Sequence, residues 1–399
     1  MKQAFKILTI CFLLTLISCR GDDIIFIPEE VPVTSPEEDS VSSSEEDSVS
    51  SSEYTSIKGF YLLNEGNMGS NKATLDYYDY KTGVYTRNIY GNANPDVPKE
   101  MGDVGNDLKI YGSRLYAVIN CSNKVEVMNS QTAKRIGQIE IPNCRYIRFH
   151  EGYAYVTSYA GPVVIKPDYE QLGYVAKIDT ATLQEVDRCI VGFQPDELEI
   201  SEGYIYVANS GGYMVPRYEN TISVIDIASF KEVERIEIDI NLHRIRADKY
   251  GQLWISSRGD YFDNNSKLYC YDTRKKRITA KIDVPVSNMH LDGDSLYIVS
   301  AQWNYISMSN EITNAILDVK RREKVCDNFI KDGTDNQIKI PYGIMVNPHT
   351  KDIYVTDAKN YVNPGYLHCY SQDGIKKWSV RTGDIPAHFV FLGENINEQ

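Results

Sequence analysis

The residues best suited to chemistry lie in six segments that begin with Asn, Ser or Asp and continue into an aromatic or long apolar side chain. They read NEGNMGSNKA (64–73), SYAGPVVIKPDYEQLGY (158–174), NSGGYMVPRYEN (209–220), SRGDYFDNNS (257–266), SAQWNYISMSN (300–310) and DAKNYVNPG (357–365). Aromatic side chains have no folding purpose on loops that need only be soluble, whereas aromatic anchors beside amides are typical of binding surfaces. We therefore predict ligand contacts from Asn64, Asn67, Tyr159, Asn209, Tyr213, Arg258, Tyr261, Gln302, Trp303, Tyr305, Asn360 and Tyr361.

A second polar series stands just before seven short strand-like segments. Its pairs are Asn106-Asp107, Arg145-Tyr146, Asp196-Glu197, His243-Arg244, Ser287-Asn288, Tyr342-Gly343 and Ala387-His388. We add Arg145, Tyr146 and Arg244 to the predicted ligand contacts, together with Asn120 from the end of a neighbouring segment. Arginines in such positions are suited to pairing with a phosphate group. The alternative for part of this series is a polar rim around a water-filled channel.

No catalytic motif accompanies these residues. The sequence lacks the GxSxG, HExxH and EF-hand patterns. Asp196 and Glu197 are neighbours on one predicted strand, so their carboxylates would face opposite ways. No CxxC pair is present to suggest a zinc ribbon, and Cys121 with Cys144 is the one pair worth testing as a disulfide. We expect no enzymatic activity, no metal site and no required cofactor.

Repeats in residues 57–399 predict the fold that positions these side chains. Seven segments share an aliphatic–aromatic–aliphatic pattern: FYLLN (60–64), LYAVIN (115–120), AYVTS (154–158), IYVAN (205–209), LWISS (253–257), LYIVS (296–300) and IYVTD (353–357). Each has the period of two and the residue types of a β-strand. A tight turn joins six of them to a preceding strand, further strands follow, and helical periodicity is absent. The pattern predicts an all-β, seven-bladed β-propeller with four-stranded blades.

The first repeat has no preceding strand, and the missing strand stands at the other end of the chain, over 387–392. We predict that this C-terminal strand completes the first blade. Pairing the two ends of a propeller in this way removes open sheet edges.

The N-terminal part has a different composition. Lys2 and Lys6 precede an apolar run too short to cross a bilayer, which needs about 20 residues, so the run is typical of a secretory signal. Residues 20–53 are rich in Ser and Glu, repeat EEDSVSSS twice and carry a charge of −10 of the total −13. Such a composition predicts a disordered tether. The remaining chain is only mildly acidic and offers no basic surface for nucleic acid.

Three local sequences resemble known families. Leu16-Ile17-Ser18-Cys19 resembles the lipobox of bacterial lipoproteins, which implies lipidation of Cys19. Asp22 and Asp23 resemble the surface-export signal of lipoproteins in gut Gram-negative anaerobes. The run at 205–238 is similar to the YVTN-type repeat of bacterial surface propellers. We therefore divide the chain into a signal peptide (1–18), a lipidated tether (19–56) and a propeller (57–399).

A narrower resemblance rests on YLLNEGNMG (61–69) together with Tyr77-Tyr78-Asp79. These residues resemble the surface propeller lipoproteins that capture vitamin B12 for gut anaerobes, the BtuG-type proteins. The resemblance implies cobalamin or a related corrinoid as a transported ligand, and a TonB-dependent outer-membrane transporter as partner. It also implies a lipid-anchored, surface-exposed protein of the outer membrane. A glycan-binding or adhesive surface propeller is the alternative, and a propeller lyase or lactonase is a further one.

Overall fold

The computed structural model describes residues 24–26, 56–304 and 308–393, and most of these residues lie in antiparallel β-strands. The strands form seven sheets, six with four strands and one with five. The innermost strand of each sheet contacts the innermost strands of both neighbouring sheets, so the sheets form a closed ring. The predicted seven-bladed β-propeller is confirmed.

We number the blades from the N-terminus. Blade 1 contains β1 (Ile24–Phe26), β2 (Ile57–Asn64), β3 (Thr74–Asp79), β4 (Val84–Thr86) and the innermost strand β29 (Pro386–Gly393). Blade 2 contains β5 (Gly105–Tyr111), β6 (Arg114–Ile119), β7 (Lys124–Asn129) and β8 (Arg135–Glu140). Blade 3 contains β9 (Cys144–His150), β10 (Tyr153–Ser158), β11 (Tyr174–Asp179) and β12 (Gln184–Ile190). Blade 4 contains β13 (Pro195–Ser201), β14 (Tyr204–Asn209), β15 (Thr221–Asp226) and β16 (Lys231–Glu237).

The remaining blades follow the same order. Blade 5 contains β17 (Leu242–Ala247), β18 (Gln252–Ser257), β19 (Lys267–Asp272) and β20 (Arg277–Ile282). Blade 6 contains β21 (Asn288–Asp292), β22 (Ser295–Asn304), β23 (Ser309–Asp318) and β24 (Glu323–Cys326). Blade 7 contains β25 (Pro341–Val346), β26 (Ile353–Asp357), β27 (Pro364–Tyr370) and β28 (Lys376–Asp384). A short helix α1 (Ile89–Ala93) and a 3-10 turn (Thr334–Gln337), neither predicted, lie in connections between blades.

The second strand of a blade is buried on both faces, which explains its nearly continuous apolar sequence. In β6, Leu115, Ala117 and Ile119 pack against the core between blades 1 and 2. Tyr116 and Val118 point the other way, into the core between blades 2 and 3. Successive side chains of a strand alternate between its two faces, so one strand supplies two separate cores. Hydrophobic burial between blades therefore holds the ring together.

The turns between the third and fourth strands share one kind of side-chain hydrogen bond. In blades 1 to 6, an Asp or Asn at the end of the third strand accepts a hydrogen bond from the backbone N–H three residues later. Asp and Asn favour such turns because their short side chains reach the backbone. The repeat is thus visible in the turn chemistry as well as in the strands.

Ring closure occurs at β29, as predicted. This strand pairs antiparallel with β2, so that Phe391 lies opposite Phe60 and Phe389 lies opposite Leu62. It also contacts β25 of blade 7 on its other side. The approach is close at Gly343 of β25, where a Cβ atom would lie 2.5 Å from the carbonyl oxygen of Ala387. Only glycine avoids that overlap.

Cys19, Asp22, Asp23 and both copies of the acidic octamer lie outside the described residues. Within the segment predicted as a tether, Ile24–Phe26 is described and pairs antiparallel with β4 as an extra outer strand of blade 1. Among the described residues, no helix has the length and apolar character needed to span a membrane.

Candidate functional site

The loops above the innermost strands enclose a half-open cavity of about 680 Å³. Its lining comes from all seven blades and combines residues at or near the start of the innermost strands with residues of the loops between the second and third strands. The two polar series recognised in the sequence therefore meet at one end of the propeller.

Ten of the sixteen predicted ligand contacts line this cavity. They are Asn120, Arg145, Tyr146, Tyr213, Arg244, Arg258, Tyr261, Gln302, Trp303 and Tyr361. They come from blades 2 to 7 and are brought together only by closure of the ring.

Three predicted contacts are buried in structural roles, and their assignment as surface ligand contacts is corrected here. The Asn64 amide donates to the Thr74 hydroxyl at 3.1 Å, and the Asn209 amide donates to the hydroxyls of neighbouring Thr and Ser residues on β15. The Tyr159 ring is buried beneath the cavity floor. A polar group inside the protein needs a hydrogen-bond partner, and the nearest strand supplies it.

The remaining three predicted contacts lie elsewhere. Asn67 donates its amide to the carbonyl of Tyr361 at the rim. The Asn360 side chain caps its own turn by accepting from the N–H groups of Val362 and Asn363 at 3.2 and 3.0 Å. Tyr305 lies outside the described residues.

Asp196 organises one side of the cavity floor. Its carboxylate accepts hydrogen bonds from Arg145 at 3.2 Å, Tyr159 at 2.9 Å and Arg258 at 2.9 Å. The Arg145 guanidinium also lies 4.7 Å above the Tyr159 ring centroid. Burial by itself lowers the pKa of Arg145, but Tyr159 and Asp196 outweigh it and raise that pKa well above its usual range. Both arginines are therefore charged and held in fixed positions.

Arg244 and His243 form the opposite side of the floor. The Arg244 guanidinium lies 5.3 Å from the Tyr146 ring centroid, and the Tyr146 hydroxyl is 3.2 Å from His243 Nε2. Burial, and then the positive charge of Arg258, hold the pKa of His243 well below its usual range. His243 is consequently a neutral hydrogen-bonding group at pH 7.

A second ion cluster lies deeper, on the innermost strands of blades 2 to 5. Glu197 binds Arg246 at 2.6 Å and Arg148 at 3.0 Å, and Arg148 also binds Asp107 at 3.2 Å. Burial raises the pKa of Glu197, but Arg246, Arg244 and Arg148 outweigh that effect and bring it to about 2. Asp196 and Glu197 thus enter separate clusters, as predicted for neighbours on a strand, and do not form an acid–base pair.

Sequence reasoning missed Glu65 and Tyr342 as cavity residues. The Glu65 carboxylate accepts from the Tyr342 hydroxyl at 3.0 Å and lies 3.1 Å from His388 Nε2. Glu65 was visible in the first loop segment, and Tyr342 and His388 in the second polar series. Their proximity was not visible, because it joins the first blade to the last.

The rim is aromatic and apolar. Tyr261 is 56% exposed, Trp303 is 45% exposed and Met68 is 68% exposed. Exposed side chains of this size, placed around a cavity with polar walls, are typical of a binding site.

The described residues contain no group of three or more His, Cys, Asp or Glu side chains placed to hold a metal ion. The six cysteines within 56–304 and 308–393 are free thiols, including Cys121 and Cys144. Burial raises the pKa of the Cys144 thiol to about 12, so it is protonated at neutral pH.

Solved structures of varied function share this fold. A hypothetical selenium-binding protein from Sulfolobus tokodaii aligns with a TM-score of 0.62 at 10% identity, over 86% of this chain and 95% of that one. A quinoprotein alcohol dehydrogenase-like protein from Bacteroides thetaiotaomicron aligns with a TM-score of 0.58 at 15% identity, over 84% and 78%. Kuenenia stuttgartiensis hydrazine synthase aligns with a TM-score of 0.52 at 17% identity, over 67% and 77%. Such identities show the propeller fold alone, which enzymes and other proteins share.

Comparison with curated proteins gives no match. A family profile described as a domain of unknown function, DUF5074, matches residues 58–391, from β2 to β29. This span includes every blade and all the residues of the cavity. The chain belongs to the DUF5074 family.

Proposed function

We propose that this protein captures cobalamin or a related corrinoid in the cavity that the loops above the innermost strands enclose. The observation that carries the proposal is the combination of three arginines on the cavity floor, Arg145, Arg244 and Arg258, with an aromatic and amide-bearing rim. A corrin ring is broad and flat, with an apolar body, a fringe of amides and one phosphate. Each of these parts has a complement in the cavity.

The floor suits the phosphate. Arg145 and Arg258 share the single carboxylate of Asp196, which leaves a positive charge on that side. Arg244 lies 3.9 Å from Glu197, a carboxylate that also serves Arg148 and Arg246. Charge-assisted bonds from arginine to phosphate are among the stronger polar contacts in proteins.

The rim suits the ring and its amides. Tyr261, Trp303 and Tyr361 offer aromatic surface, while Gln302 offers an amide group. The cavity is half-open, so a ligand larger than its volume of about 680 Å³ can extend into solvent. The Nε2 atom of His243 lies 3.2 Å from the Tyr146 hydroxyl, and we assign this histidine a hydrogen-bonding role.

We also propose that the protein passes the ligand on without changing it chemically. The adjacent carboxylates of Asp196 and Glu197 are each paired with arginines, and Glu65 is engaged with Tyr342 and His388. The proposed lipid anchor at Cys19 would keep the propeller near a TonB-dependent transporter in the outer membrane. Tethering raises the effective concentration of one partner for the other.

Calorimetric titration with cyanocobalamin tests the proposal. We expect saturable binding at micromolar protein and retention of the pink colour through a desalting column. Tyr261→Ala should weaken binding about thirtyfold, since truncating an aromatic anchor typically costs about 2 kcal/mol.

Tyr204→Ala is the matched control, because Tyr204 is a partly exposed tyrosine at the other end of a blade. It should leave the affinity unchanged. Tyr155→Ala and Tyr206→Ala should instead lower stability first, since both rings are buried between blades. Absence of heat and of retained colour would contradict the corrinoid proposal and favour the glycan-binding alternative.

A further inference from the structure

A second cavity, of about 510 Å³, lies between blades 6 and 7. It shares Trp303 and Asn310 with the first cavity, but its other lining residues are different. We call it the side cavity, and its walls are the β22–β23 hairpin and the connection 327–340.

Both walls depart from the propeller repeat. Strands β22 and β23 have ten residues each, whereas the second and third strands of blades 2 to 5 have six. The connection 327–340 has fourteen residues and the connection from blade 1 to blade 2, 87–104, has eighteen. The four connections that lead into blades 3, 4, 5 and 6 have three to five. Part of the connection 327–340 packs into the core between blades 6 and 7, where Phe329, Ile330 and Ile338 are buried. Its polar residues, together with the longer hairpin, line the side cavity.

The side cavity is rich in side-chain amides and nearly balanced in charge. Its amides belong to Asn310, Asn314, Asn328 and Asn336. Its two carboxylates, Asp327 and Asp335, are matched by its two ammonium groups, Lys339 and Lys359. The walls therefore select for neither a strong anion nor a strong cation.

Part of this charge is already engaged within the protein. Asp327 pairs with Lys324 at 2.5 Å, and Lys359 pairs with Asp357 at 3.3 Å. The Asp335 carboxylate accepts the amide of Asn328 at 3.0 Å. Asn328 also accepts from the N–H of Ile330 at 3.0 Å, and Asn336 donates its amide to Gly333 O at 3.0 Å. These contacts hold the walls of the side cavity in place.

Asn314 supplies an independent sign of a ligand. This residue is 4% exposed, and its Oδ1 atom has no hydrogen-bond partner among the residues that the structure describes. Its backbone carbonyl accepts from Phe329 N at 2.8 Å, so the residue is held in place at the cavity wall. A buried acceptor without a donor is costly, and a ligand hydroxyl would satisfy it.

We propose that the side cavity binds a neutral saccharide unit. Sugar hydroxyls donate to carboxylates and amide oxygens and accept from amide N–H groups, which is what these walls offer. The indole of Trp303, together with Ile312, provides an apolar surface for the carbon face of a sugar ring. This site is independent of the corrinoid proposal, because most of its lining residues do not touch the first cavity.

Saturation-transfer NMR on the full chain tests the side cavity, with D-glucose, D-galactose, D-mannose and N-acetyl-D-glucosamine as separate probes. We expect saturation transfer from at least one of them at millimolar concentration. Asn336→Ala should weaken that binding on the order of tenfold, as expected for loss of a polar contact to a neutral ligand. Asn336 is exposed, so this substitution should leave folding intact.

Tyr261→Ala is the discriminating control, since Tyr261 lines only the first cavity. It should weaken the binding of cyanocobalamin and leave the saturation transfer to the sugar unchanged. Absence of saturation transfer to all four sugars would overturn the side-cavity proposal. A signal that Tyr261→Ala removes and Asn336→Ala retains would overturn it as well. Neither result would affect the corrinoid titration.

Discussion

Asp196 illustrates how single residues position the candidate site. Its carboxylate accepts hydrogen bonds from Tyr159, Arg145 and Arg258, which lie 37, 51 and 62 residues away in sequence. Two of these partners then face the cavity with their charge partly neutralised. A buried charge is tolerated only when it is paired and hydrogen-bonded, so this residue and its arginines form a unit.

His368 gives a residue-scale prediction about pH. Burial, and then the charge of Lys376, lower the pKa of this histidine to about 4. The folded pKa lies below the unfolded value, so neutral His368 is favourable to folding above about pH 6.5, and that contribution is lost as pH falls toward 4. The loss is about 1.4 kcal/mol for each pH unit.

His368→Gln should therefore flatten the dependence of stability on pH between 7 and 5, by about 1 to 2 kcal/mol at the acidic end. Urea unfolding at the two pH values measures this difference. His349→Gln, at an exposed position, is the matched control and should retain the slope of the wild type. Equal slopes in the His368 variant and the wild type would contradict the assignment.

At the scale of elements, β29 is the strand on which the ring depends. It lies innermost in blade 1, pairs with β2 and contacts β25 and β5. Phe391 and Leu392 enter the cores on its two sides. An element shared by three blades contributes more burial than its length suggests.

Deleting residues 386–399 should therefore abolish stable folding. Removing the buried Phe391 side chain alone costs roughly 3–5 kcal/mol, and the partly buried Phe389 adds to this loss. Such a loss is comparable to the whole stability of a domain. Thermal unfolding followed by circular dichroism checks this. Deleting 394–399 alone leaves β29 whole and should melt like the full chain; a 386–399 deletion that melts the same way would show that β29 is dispensable.

At the scale of the whole molecule, most of the net charge lies outside the propeller. Residues 20–53 carry −10 of the total charge of −13, so the propeller is free of a strong overall field. A mildly charged propeller with three arginines at the cavity floor is consistent with the proposed ligand, which carries a single phosphate.

Cys19→Ala tests the proposed attachment. The variant should lose fatty-acid labelling and leave the membrane fraction, or accumulate with its signal uncleaved. Cys121→Ala, at a free thiol of the propeller, is the control and should remain membrane-bound. Protease added to intact cells should release the propeller if it is displayed outside. Equal labelling of wild type and Cys19→Ala would refute the anchor.

The sequence by itself determined the architecture of the propeller. Seven strand repeats predicted seven blades, and a missing first partner predicted closure by 387–392, which the structure confirms within β29. These predictions succeed because each blade is a local unit whose strand period, turn residues and apolar pattern are written in consecutive residues. The alignment of the repeated strands also predicted at which end of the propeller the candidate binding loops lie.

Only the tertiary structure decided which loop side chains reach the cavity. Asn64, Asn120 and Asn209 end similar strand segments, yet only Asn120 lines the cavity. In blades 1 and 4, a Thr at the start of the third strand accepts the Asn amide, whereas the Asn120 amide donates to Cys144 O of the next blade at 2.8 Å. The competing partners lie on other strands or in other blades. A side chain's direction is set by the partners that folding brings to it, and strand periodicity carries no record of those partners.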